Sequence, residues 1–123
     1  MRTPAANQLV VTTTTPTYSQ PIPTGGQNGI ALDFTVVSSN IGATSTSVSA
    51  SIEQSSDLQN WSVVALTATF TGTSGQLPAY TSVMTTATGS ALSAGYVRVA
   101  FTVGASTTRA CVAAGVNFFN FST

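Results

Sequence analysis

Residues 96–103 read Tyr96-Val97-Arg98-Val99-Ala100-Phe101-Thr102-Val103. Successive side chains of a strand point to opposite faces, so Val97, Val99, Phe101 and Val103 share one side. The same period of two recurs upstream. Ile30, Leu32, Phe34 and Val36 point one way, and Ala31, Asp33, Thr35 and Val37 the other. Val48, Ala50 and Ile52 alternate with Ser47, Ser49, Ser51 and Glu53. From Trp61 to Thr71, Val64, Leu66, Ala68 and Phe70 alternate with Thr67, Thr69 and Thr71. Ala79–Met84 reads as a short strand and Arg109–Phe121 as a mostly apolar closing strand. Turn formers separate them: Ser55-Ser56-Asp57-Leu58-Gln59-Asn60, Gly72-Thr73-Ser74-Gly75 and Gly104–Thr108. No segment repeats apolar residues at helical spacing between caps. The expected fold is all-β: a single antiparallel β-sandwich, jelly-roll-like, over residues 30–123.

Residues 1–29 read differently. Thr12–Thr15 is β-branched and favours extended backbone. Pro16, Pro21 and Pro23 forbid a helix or a central strand, and Gly25-Gly26 and Asn28-Gly29 mark a turn. The expectation is an extended N-terminal arm, ordered against a neighbouring subunit or else a loose terminus. Leu9, Val10 and Val11 are its candidate contacts and could dock as a short edge strand. Removing residues 1–24 is then expected to abolish assembly and spare the sandwich.

Composition bounds the function. The 123 residues carry three arginines, three acids, no lysine and no histidine, while Thr and Ser occupy 38 positions. An ordinary domain is about 25% charged; this one is 5% charged. Zero net charge without lysine argues against nucleic acid and against anionic membranes. It also removes the repulsion that keeps domains apart in solution. Residues 1–8 lack the apolar run of a secretory signal, and no stretch approaches the ~18 apolar residues of a membrane span. Synthesis in the cytoplasm is expected, or export after loss of a signal.

Chemistry is sparse. Without histidine there is no Ser-His or Cys-His pair and no usual zinc set. Asp33, Glu53 and Asp57 supply neither a calcium cluster nor a convincing acid–base pair. No enzyme activity, cofactor or metal is expected. Cys111, in Ala110-Cys111-Val112-Ala113, reads as a small buried apolar residue. Asn60-Trp61-Ser62 and Asn120-Phe121-Ser122 match the glycosylation sequon by chance, given so many Asn, Ser and Thr.

Arg98 stands out among apolar neighbours. Its guanidinium needs a partner if covered, and Glu53, outward on its own strand, is the best candidate for a cross-strand ion pair. An inter-subunit contact is the other reading. Phe118 and Phe119 cannot enter one core together, so one of them meets a second apolar surface. Phe119 and Phe121 are therefore candidate subunit contacts, or an end of chain tucked over the sheet edge. The row Thr67, Thr69, Thr71, Thr73 lacks the constant repeat of an ice-binding array.

The stretch Ser51–Trp61, followed by Tyr96–Val103, resembles small β-sandwich proteins encoded in the structural modules of tailed phages and prophages. Those carry an E-S-S-D-G-x-N-W hairpin and a later Y-V-R-V strand. The resemblance covers about half the chain, and Leu58 stands where a turn glycine is common. It implies a virion component without enzymatic activity: a capsid, decoration or tail-associated subunit. It also implies that Trp61 is a core anchor and that Arg98 serves a structural ion pair.

The expected role is thus a self-assembling structural subunit of a phage or virus-like particle. Its partner is itself, or another capsid or tail protein. Two alternatives stand beside it. One is an extracellular filament or surface-layer subunit that assembles by strand addition. The other is a carbohydrate-binding sandwich, which needs exposed aromatics on one platform; Tyr18, Tyr80 and Tyr96 are scattered along the chain.

Overall fold

A computed structural model describes residues 2–11, 16–39, 46–72, 76–84, 92–104 and 110–120. Among the described residues nine strands follow in order: β1 (Arg2–Val11), β2 (Thr17–Tyr18), β3 (Ile22–Pro23), β4 (Gly29–Ser39), β5 (Thr46–Ser55), β6 (Ser62–Gly72), β7 (Ala79–Met84), β8 (Tyr96–Val103) and β9 (Ala110–Phe119). They form two packed antiparallel sheets. One runs β1-β9-β4-β7; the other runs β2-β8-β5-β6, with β3 also on β8.

The pairing has a simple rule. β5 pairs with β6, β4 with β7, β2 and β3 with β8, and β1 with β9. The chain is one long hairpin folded back on itself about the β5–β6 turn. Rolling that hairpin brings β4 beside β9 and β5 beside β8. With β2 and β3 as two pieces of one interrupted edge strand, this is the eight-stranded jelly roll.

The alternating apolar faces line the space between the sheets. Ile30, Leu32, Phe34 and Val36 of β4 and Val112, Ala114 and Val116 of β9 are buried from one side. Val48, Ala50, Ile52, Val64, Leu66, Ala68, Val97, Val99, Phe101 and Val103 are buried from the other. At the centre the Phe34 and Phe101 rings meet across the sheets, with centroids 6.1 Å apart. Two wholly buried phenylalanines contribute about 1.5–3 kcal/mol each by transfer from water. This core is what makes the outer faces rigid platforms.

The described residues among 1–29 do not form a separate arm. β1 runs the length of β9, and Val11 is fully buried in the shared core, with Leu9 packed against it. Val10 stands opposite Cys111 in the same ladder. Backbone groups of an extended segment must find partners, and here β8 and β9 supply them. The prolines act as the sequence suggests, because Pro4 and Pro23 both lie on edge strands. Cys111 is half-buried and stands on the outward set of β9, while Ala110 and Val112 fill the core.

Candidate functional site: a guanidinium between aromatic rings

The outer face of the five-stranded sheet gathers residues far apart in sequence. Glu53 of β5 stands directly opposite Arg98 of β8 on one side and Val63 of β6 on the other. Arg98 Nε donates to Glu53 Oε1 at 2.8 Å, and Nη2 lies 2.7 Å from the same oxygen. The two side chains retain 20% and 15% of their exposure, so the pair is shielded but not sealed. Tyr18, on β2, faces the same side from opposite Ala100. The Arg98 guanidinium carbon lies 3.6 Å from the Tyr18 ring centre and 4.3 Å from the Trp61 ring. Tyr18 comes from β2, beside β8, and Trp61 from the residue just before β6, on the far side of β5.

Each contact has a local cause. The parity that buries Val97 and Val99 turns Arg98 outward. Ring faces are negative, so both rings attract the cation, each contributing about 0.5–2 kcal/mol according to its desolvation. β2 reaches the cluster because Ser19 takes over the ladder. Ser19 N–H donates to the Val99 carbonyl at 2.8 Å, and Val99 N–H donates to Ser19 Oγ at 2.9 Å.

Trp61 is therefore not a core anchor. It is half-buried, just before β6, and belongs to the outward set with Val63 and Thr67. The inward set of β6 is Val64, Leu66 and Ala68. Its anchor is the Arg98 cation on the outer face.

The β5–β6 hairpin that delivers Trp61 is held by Asp57 and Ser55. Ser55 Oγ accepts from the N–H of Asp57 and Leu58 and donates to Asp57 Oδ1. Asp57 Oδ1 accepts from the N–H of Asn60 at 2.8 Å and of Gln59 at 2.9 Å, and Oδ2 accepts from Asn60 Nδ2. These bonds, the Asn60 N–H foremost, hold the Asp57 carboxyl well below its ordinary range.

Beyond the cluster the face becomes a field of hydroxyls. Ser51 stands opposite Thr67, Ser49 opposite Thr69 and Ser47 opposite Thr71. Ser49 is also opposite Thr102, and their hydroxyls bond at 2.8 Å. Thr67, Thr69 and Thr71 are exposed.

The candidate subunit contacts lie elsewhere. Val11 is fully buried in the chain's own core, and Leu9 is half-buried against it. Phe119 packs over Gly29, while Phe118 faces the core. Phe121 lies outside the described residues. Among the described residues the exposed apolar side chains include Val63 at 70% and Tyr80 at 67%, on β6 and β7. Their strand assignment was legible; their edge position was not. Among the described residues no three His, Cys, Asp or Glu side chains gather as metal ligands. No protein-family model matches the chain, and no curated protein matches it as a relative.

Proposed function

We propose that this chain is a non-enzymatic, self-assembling structural subunit, most simply of a phage or virus-like particle as a capsid, decoration or tail-associated protein. What supports the reading is a contrast between the two sides of the sandwich. On one side the edges are blunted. β1 carries Pro4 and two register shifts, and β2 and β3 are two-residue strands with Pro23 in the second. On the other side the strand orders end at β6 and β7. β6 spans 11 residues and β7 six, without a charge or a proline in either, and Val63 and Tyr80 stand exposed on them. Unprotected edges of this kind pair readily with another chain. A jelly roll is also the architecture of many virus shells, which is support by analogy of fold.

On this reading the subunit contact is the β6–β7 side, not the N-terminal strands. Mass by light scattering, with negative-stain images of the same peak, tests the reading. A large particle is expected, and its shape separates a shell from a filament. Thr67→Lys with Thr69→Lys should dissociate it, because charge on an edge opposes strand addition. A wild-type chain that stays monomeric at high concentration overturns self-assembly.

A further inference from the structure

We propose that the outer face of the five-stranded sheet binds a neutral, chain-like polyhydroxyl ligand, that is, an uncharged glycan, read at one end by Tyr18, Trp61, Arg98 and Glu53. This goes beyond assembly, since it uses the side chains of the outer face and not the unpaired backbone of the β6 and β7 edges.

The chemistry of the cluster selects the ligand. A guanidinium has five N–H donors, and here two of its nitrogens address one oxygen of Glu53. Nη1 of Arg98 and Oε2 of Glu53 meet no further partner among the described residues. The two side chains keep 20% and 15% of their exposure, so the pair is reached from solvent. The site thus offers donors and an acceptor side by side, fixed by two rings. The paired charges cancel, so a free anion or cation gains little there. A hydroxyl both donates and accepts, and neighbouring hydroxyls satisfy Arg98 and Glu53 together. Tyr18, 44% exposed, adds apolar ring surface for the carbon face of a sugar.

The rest of the face sets the ligand's length. From Glu53 the rows continue through Ser51 and Thr67, then Ser49, Thr69 and Thr102, to Ser47 and Thr71. At ~3.4 Å per residue, Glu53 to Ser47 spans about 20 Å. The named side chains along that track are hydroxyls without charge. A polar, neutral, extended track fits an oligosaccharide and offers nothing to a phosphate backbone.

Trp61 is the only tryptophan, so its emission reports the site directly. The purified protein is titrated with cellohexaose, maltohexaose, N-acetylchitohexaose and glucose, and with a heparin hexasaccharide as the anionic arm. A saturable change is expected with at least one neutral hexasaccharide, about tenfold tighter than with glucose. Tyr18→Ala, verified as folded by circular dichroism, should abolish it. Thr102→Val should weaken the hexasaccharide and leave glucose unchanged. No response to any neutral hexasaccharide up to about 10 mM overturns the proposal and leaves the cluster a structural clamp. A response confined to heparin, or one that persists in Tyr18→Ala, overturns it equally.

Discussion

Phe119 lies with its ring over Gly29, its cross-strand partner in the β4–β9 ladder. A Cβ built on Gly29 would fall 2.5 Å from the ring, so glycine is what admits it. The aromatic covers backbone that a side chain would otherwise shield, which answers where the second phenylalanine of the Phe118-Phe119 pair goes. Gly29→Val should cost about 1–3 kcal/mol by forcing the ring aside. In a Phe119→Ala background the same substitution should cost at least about 1 kcal/mol less. Urea unfolding of the four proteins measures the coupling, and additive effects would show that the ring does not depend on Gly29.

Leu58 has φ of 64° at the tip of the β5–β6 hairpin and is 43% exposed. That backbone region costs a residue with a Cβ about 1–2 kcal/mol, while glycine enters it freely. Leu58 is no part of the core cluster. Leu58→Gly should therefore stabilise the protein by about 0.5–1 kcal/mol after the extra freedom of unfolded glycine is subtracted. A raised urea midpoint with an unchanged slope is the expected result. A lowered midpoint would mean that the leucine side chain packs against something that holds it there.

Alternation made the strands and their inward faces legible, because it is a local property of extended backbone. The pairing order was not legible: β1 meets β9 and β2 meets β8 through a roll that no local pattern encodes. That is why residues 1–29 read as an arm, although Val11 completes the core. Trp61 was misplaced for another reason. Its odd parity with Val63 and Thr67 already set it opposite Val64 and Leu66, and a resemblance pointed the other way. The meeting of Tyr18 with Trp61 over Arg98 had no signal of its own. Tyr18 sits in a two-residue strand among prolines, too short to show a period.

Asp57 ties the hairpin's pH response to its folding. Its folded carboxylate is favoured by two backbone N–H groups, the Asn60 amide and the Ser55 hydroxyl, which pull its pKa down from the ordinary 3.8. A depressed folded pKa gives stability that is complete well above the unfolded value and is lost as pH falls past it. Asp57→Asn should be less stable than wild type at neutral pH, because its Nδ2 would face that of Asn60, donor against donor. The difference should narrow steadily below about pH 4, where the wild type begins to lose its advantage. Melting both proteins from pH 7 to pH 2 checks this, and a gap that stays constant into acid would remove Asp57 as the cause.

Removal of residues 1–24 should unfold the sandwich and not merely disperse an assembly. The deletion takes β1, β2 and β3, and with them the outer ladders of β9 and β8. Val11 and Ile22 leave the core, at about 1.5–3 kcal/mol each. Thr24 goes too, and its Oγ1 donates to the Ala94 and Gly95 carbonyls in the approach to β8. Against a total of about 5–15 kcal/mol for a domain, these losses and the unpaired strand edges leave little margin. The shortened chain should show no cooperative urea transition. One that still unfolds cooperatively, with its mass reduced to a monomer, would restore the arm as an assembly device and displace the open β6–β7 side from that role.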